Sequence, residues 1–218
     1  CIDDMHDKHF VADIVINHAI GINSYAYSKE PYTKLLLGFK YALLRKEFYK
    51  EFDIKIDKEF SCLIIMGGAD PFGVTNNLVK LLTKINLTKP IAVVSPIRIS
   101  HENIVWFKNL SALEISKLME NTDFGIFPAS SVAIEACAKR LPFICGYFTI
   151  NQFEIYKGIE MEELAICIGS LNQISKNMIT DAISKISSTI NKSSIYMKQT
   201  KLIDNKVSTR ILNEFQSI

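Results

Sequence analysis

The 218-residue chain is short of most strong single-motif signals, with one tryptophan, four histidines and a formal net charge of only +2. So small a charge, on lysines scattered rather than clustered, leaves no electrostatic footprint for nucleic acid. No apolar run approaches the ~20 residues that span a bilayer, and no secretory leader is visible. The five cysteines (Cys1, Cys62, Cys137, Cys145, Cys167) form no CxxC pair. Three of them lie in apolar strand-like runs and Cys137 on a helical pattern, which predicts buried, reduced thiols and a cytoplasmic protein. Asp3-Asp4 has no histidine or carboxylate at ligand spacing, so no metal is expected. His6, His9, His18 and His101 stand alone and read as surface or hydrogen-bonded core histidines. Repeats and low-complexity segments are absent too.

What is present is a globular composition, 48% hydrophobic and 22% charged, with enough apolar surface for a substantial core. Residues 12–17 and 35–38 read as short strands, 41–50 as mixed, and the charged stretch 50–59 as a connector. A regular cadence follows: strand 62–66, helix 74–85, strands 90–95 and 104–107, and a helix to 119 capped by Ser111. Strand 124–127, a helix from the Ser130-Ser131 turn and strands 142–148 and 164–168 complete it. Residues 172–190 and 193–215 have helical spacing. Strands alternating with helices predict an α/β, doubly wound parallel sheet. The chain opens at Cys1-Ile2-Asp3-Asp4 without a methionine, apparently in mid-strand, and reads as a piece of something longer.

The segment from Asp123 to Gln152 (DFGIFPASSVAIEACAKRLPFICGYFTINQ) carries the most chemistry. An apolar strand ends in a serine turn that opens a helix, where hydroxyls and N–H groups can bind an anion. Glu135 lies one turn in, able to accept from two sugar hydroxyls. The plainer alternative is a capped helix with a solvated Glu135. Gly67-Gly68, between a strand and a helix, permits close backbone approach to a phosphate or sugar. It belongs neither to a GxGxxG fingerprint nor to a Gly-Lys-Ser/Thr loop. In a parallel sheet both turns fall on the carboxyl edge, where ligands bind.

At this level of detail the residues resemble a known family. Tyr41-Ala42-Leu43-Leu44-Arg45-Lys46-Glu47-Phe48 after Gly38-Phe39 is similar to the YALLRxEF signature of the PseG family. Those proteins are UDP-2,4-diacetamido-2,4,6-trideoxy-β-L-altropyranose hydrolases of pseudaminic acid biosynthesis. Asp3-Asp4, residues 12–17, Met66-Gly67-Gly68-Ala69-Asp70, Ala129-Ser130-Ser131 with Glu135, and Asn151-Gln152 follow in the family's order over roughly residues 1–165. The family in turn resembles the GT-B glycosyltransferases, in particular the UDP-N-acetylglucosamine transferase of peptidoglycan synthesis.

The resemblance implies a Rossmann-like, C-terminal half of a GT-B-like fold. Residues 1–45 become the remnant of an N-terminal domain and hinge, 46–190 the UDP-sugar-binding domain, and 191–218 a C-terminal helix. It implies that Gly67, Gly68, Ala69 and Asp70 lie against the diphosphate with Ser130 and Ser131, and that Glu135 takes the ribose hydroxyls. The strand end at Phe107 reads uracil, and Asn151, Gln152, Asn17, Tyr41 and Arg45 face the sugar. Arg45 reads equally as the partner of a carboxylate at the hinge, and Tyr41 as core. No cofactor is implied, and the partner is a UDP-sugar. The family's Gly-His turn, whose histidine activates water, has no counterpart here, so the base is expected upstream of Cys1. The implied reaction is hydrolysis to UDP and the free diacetamido sugar. A surface-polysaccharide glycosyltransferase and a non-catalytic UDP-sugar-binding module are the alternatives.

Overall fold

The computed structural model describes residues 1–50, 57–68, 70, 72–204 and 206–217, and their strands form one large parallel sheet and two small ones. In the first segment β1 (His9–Phe10) and β2 (Ile14–Asn17) pair in parallel with β3 (Ser28–Lys29) and β4 (Lys34–Leu37) respectively. Two-stranded sheets are marginal alone, and these are covered by their own small apolar clusters around Leu36 and Val15. Two 3₁₀ turns, Phe39–Tyr41 and Lys46–Phe48, fill the stretch read as mixed. Most of the expected connector, residues 51–56, lies outside the described residues.

The large sheet contains β5 (Phe60–Ile65), β6 (Ile91–Val94), β7 (Ile104–Phe107), β8 (Thr122–Pro128), β9 (Phe143–Tyr147) and β10 (Ile166–Ser170). Its order is β10-β9-β8-β5-β6-β7, parallel throughout. Strand β5 is central because its sequence, FSCLII, is apolar apart from Ser61, as a strand covered on both faces requires; all six residues are buried. Alternation along it sends Leu63 and Ile65 to one face, and Cys62 and Ile64 to the other. The first face packs on α2 (Ala112–Glu120), α3 (Ser131–Ala138) and α4 (Phe153–Met161), the second on α1 (Val74–Leu82) and α5 (Lys176–Ser187). Helices on both faces of a parallel sheet are the α/β architecture the cadence predicts.

Three local expectations are corrected. Helix α4 was not foreseen, because Gly158 interrupts its pattern and glycine is disfavoured in a helix interior. The glycine is there for space: a Cβ at Gly158 meets the Ile20 carbonyl oxygen at 2.2 Å. Strand β10 begins at Ile166 rather than 164, because Leu164 closes α4. With Glu163 in the left-handed region (φ 51°), the Leu164 N–H donates to Ile159 O at 3.0 Å, a Schellman ending. Residues 191–218 are not one helix: α6 (Thr189–Leu202) starts before that boundary, and α7 (Val207–Phe215) follows as a second helix.

Helix α6 belongs to the large layer, where the buried Gln199 amide donates to Leu141 O at 3.2 Å and Leu164 O at 2.9 Å. Helix α7 turns back onto the first segment. The Tyr41 hydroxyl donates to Glu214 at 3.3 Å, Lys34 pairs with Glu214, and Arg210 donates to the Lys40 carbonyl. Among the described residues no helix is long and apolar enough to cross a membrane.

Candidate functional site

Strand order reverses between β5 and β8, and the crevice at the carboxyl ends of such a pair is where open α/β sheets bind ligands. A cavity of about 510 Å³ opens there. Gly67 and Gly68 enter it from the end of β5, Val94–Pro96 from β6, Asn109 and Leu110 from the turn after β7, and Ser131, Val132 and Glu135 from α3. Leu43, Leu44 and Arg45 close it from the first segment.

Gly67 has φ +90°, a conformation that only glycine adopts readily, while a Cβ at Gly67 or Gly68 meets nothing within 4 Å. The turn therefore presents bare backbone to open space. Asp70 acts differently from expectation: its carboxylate accepts from the N–H groups of Val74 (2.8 Å) and Thr75 (2.9 Å). It caps α1 and occupies the anion site of that helix. Ala69 lies outside the described residues.

The start of α3 is the reverse case. Helices α1, α2 and α5 have side-chain caps, from Asp70, Ser111 and Ser175. Ser130, at the N-cap of α3, makes no capping bond, contrary to the expected capped turn. The N–H groups that a helix leaves unsatisfied at its start thus open toward the cavity, which Ser131 and Val132 line. Ser130 itself is not in the wall.

Glu135 is 6% exposed, not a solvated face. The Arg45 Nε and Nη2 atoms both donate to its Oε1, at 3.0 and 2.8 Å. Burial pushes the carboxyl above its usual range, and the Arg45 guanidinium pulls it partly back. Arg45 also lies over the Phe48 ring, 5.0 Å from its centroid. The pairing expected as Arg45's alternative role is the one observed, and it lies in the cavity wall.

The remaining residues assigned to the sugar and base lie elsewhere. Asn17 is buried and engaged: Nδ2 donates to the Tyr27 hydroxyl at 2.9 Å and Oδ1 accepts from Ala19 N–H at 2.9 Å. The Tyr27 hydroxyl donates to Asp3 at 3.0 Å, so Asn17 and Asp3 belong to one structural network. Tyr41 is buried against β2 and β4, and burial, then Glu214, raises its pKa. The Gln152 Oε1 atom accepts from Phe148 N–H at 3.0 Å and braces the turn before α4, while Asn151 accepts from Thr149 at 2.6 Å. Phe107 packs edge-on against Phe60, its carbonyl accepts from Ser95 N–H at 3.1 Å, and the cavity wall begins two residues later, at Asn109.

The sequence reading missed Ser95, Pro96, Asn109 and Leu110. The signal was available, since all four follow strands of the same parallel sheet and so fall on its carboxyl edge. Leu43 and Leu44 carry no such signal.

No protein-family model matches the chain. Over 167 residues it is 27% identical to the UDP-2,4-diacetamido-2,4,6-trideoxy-beta-L-altropyranose hydrolase of Campylobacter jejuni, covering 69% of this chain and 57% of that protein. The fold superposes on MurG of Acinetobacter baumannii with a TM-score of 0.61 at 11% identity, covering 95% of this chain and 61% of that one. For the spinosyn rhamnosyltransferase SpnG complexed with thymidine diphosphate, the TM-score is 0.60 at 13% identity, with 91% and 56% covered. The chain thus spans less than two thirds of the length of the proteins it matches. It is similar in sequence to a UDP-sugar hydrolase, and in fold it is an α/β protein like the GT-B glycosyltransferases.

Proposed function

We propose that this chain is the nucleotide-binding part of a UDP-sugar hydrolase of the pseudaminic acid pathway, releasing UDP and 2,4-diacetamido-2,4,6-trideoxy-altrose. The observation that carries this reading is the convergence, in one cavity, of the Gly67-Gly68 turn, the uncapped start of α3 and the buried Glu135. The helix start suits a diphosphate, Glu135 suits a ribose diol, and the turn beyond Phe107, at Asn109 and Leu110, is within the same wall to meet uracil. The likeness to the Campylobacter hydrolase supports the sugar assigned.

Hydrolysis needs a base beside the attacking water and stabilisation of the departing diphosphate. The α3 N-terminus supplies the second. For the first, the titratable side chains in the cavity wall among the described residues are Arg45 and Glu135, already paired. The base is therefore assigned to residues outside this wall, as the family's Gly-His turn implies. The free thiols of Cys62, Cys137 and Cys145, buried in the sheet and α3, fit a reducing cytoplasm.

Titration calorimetry with UDP and UMP tests the cradle. UDP is expected to bind more tightly, and equal affinities or no binding would overturn the assignment. The fold likeness to glycosyltransferases favours a second reading, a transferase using the same cradle. UDP release that depends on an added acceptor would select it.

A further inference from the structure

Cys145 and Cys167 are direct partners in the parallel pairing of β9 with β10. Side chains of register partners leave the sheet on the same face, and here that is the face of α3 and α4. Their surroundings differ. Cys145 is fully buried, whereas Cys167, on an outermost strand of the sheet, lines a second cavity of about 380 Å³. Lys185 and Lys198 stand in the wall of that cavity beside Glu160 and Glu163. Neither thiol has a part in the nucleotide cleft.

We propose that Cys145 and Cys167 form an oxidisable thiol pair, with Cys167 meeting a peroxide-class oxidant in this cavity and Cys145 resolving it. The Cys167 thiolate attacks one peroxide oxygen and the O–O bond breaks, leaving a sulfenic acid and hydroxide, which takes up the thiol proton as water. The Cys145 sulfur then attacks the sulfenic sulfur. The S–S bond forms, the S–O bond breaks, and the oxygen leaves as a second water with the Cys145 proton. Two electrons pass from the two sulfurs to one peroxide.

The spacing permits closure. Neighbouring strands lie about 4.8 Å apart, inside the Cα separations of about 4.4–6.8 Å that disulfides span. Parallel Cβ atoms at that spacing are wider than the mean of about 3.8 Å for disulfides, so the closed form is strained and easily reduced. The pairing of β9 with β10 is also irregular just beyond the pair, between Cys167 and Ser170, which gives β10 room to adjust. Burial raises the Cys145 thiol well above its usual range, with Cys167 beside it raising it further. A resolving thiol held in its protonated form attacks slowly, so the sulfenic acid is expected to persist long enough to be trapped.

The test uses the folded chain carrying Cys1→Ser, which removes the exposed thiol. Hydrogen peroxide is expected to link the peptides containing Cys145 and Cys167 with loss of two hydrogens, reversed by dithiothreitol. Dimedone added with the peroxide is expected to lower the yield of linked peptide and label Cys167, and Cys145→Ser to increase that label. Cys167→Ser is expected to leave Cys145 unmodified. A native Cys167 that stays reduced, one that oxidises without linking to Cys145, or a link formed only in guanidinium would each overturn the proposal.

Discussion

Arg45 directs two donors at a single oxygen of Glu135, Nε at 3.0 Å and Nη2 at 2.8 Å, across 90 residues of chain. The arginine belongs to the segment that leads into the large sheet, the glutamate to the first turns of α3. Their pairing joins the two in the wall of the cleft.

Burial makes the charged Glu135 carboxylate a cost to stability. A carboxyl whose pKa is raised on folding favours the fold at low pH, and that contribution is lost as pH rises through its folded-state pKa. Burial raises Glu135 in this way. Glu135→Gln is therefore expected to raise the melting temperature at pH 7, with the gain disappearing as pH falls through the ordinary carboxylate range. The same variant is expected to weaken UDP by about 1–2 kcal/mol through loss of a charged hydrogen bond. Thermal melts across pH, with calorimetry at pH 7, check both signs.

Gly67 and Gly68 are separable. Gly67→Ala forces a side chain onto φ +90° and is expected to cost about 1–2 kcal/mol of stability. Gly68→Ala meets no atom in the unliganded protein, so stability is expected to change by less than about 0.5 kcal/mol. Its methyl group occupies space assigned to ligand, and a tenfold loss in UDP affinity, about 1.4 kcal/mol, is expected. Denaturant melts and calorimetry on the two variants distinguish backbone strain from a filled site.

Asn17→Ala distinguishes a structural asparagine from a sugar ligand. Removing the amide strands the Tyr27 hydroxyl and Ala19 N–H in a buried site, with an expected loss of about 1–3 kcal/mol of stability. The ratio of affinities for UDP and a UDP-sugar is expected to stay as in the parent chain. A selective loss of the UDP-sugar would return Asn17 to the sugar site.

Gly158→Ala tests how the first segment rests on α4. A Cβ there falls 2.2 Å from the Ile20 carbonyl oxygen, which is backbone and cannot rotate away. Overpacking of this kind is expected to cost about 1–3 kcal/mol. Limited proteolysis is expected to cut residues 18–24 faster in the variant than in the parent chain.

Local patterns made much of the layer readable. The bounds of β7, the Ser111 cap and the succession β8, α3, β9 follow from runs of apolar residues and turn residues that interact with near neighbours. The carboxyl-edge rule made Gly67, Gly68, Ser131 and Glu135 readable in the cleft. It also covers Ser95, Pro96, Asn109 and Leu110, whose residue types carry no chemistry of their own to mark them. Arg45 and Glu135 meet across 90 residues, a distance at which no residue pattern reports pairing. Ser130 illustrates the opposite failure: its residue type suits a cap, yet the observed backbone leaves the helix start open. Gly158 hid a helix because a packing demand overrode local propensity.

Helix α7 also sets an order of events. The Tyr41–Glu214 bond closes a loop of 173 residues, and Arg210 reaches Lys40 across 170. During synthesis the β2–β4 sheet emerges long before the helix that fastens it, and large loops close late. Until then the apolar face around Leu36 and Tyr41, against which Ile211 packs, is open to other chains. The tail is a latch thrown last, and shortening it should release the β2–β4 sheet while leaving the large sheet folded.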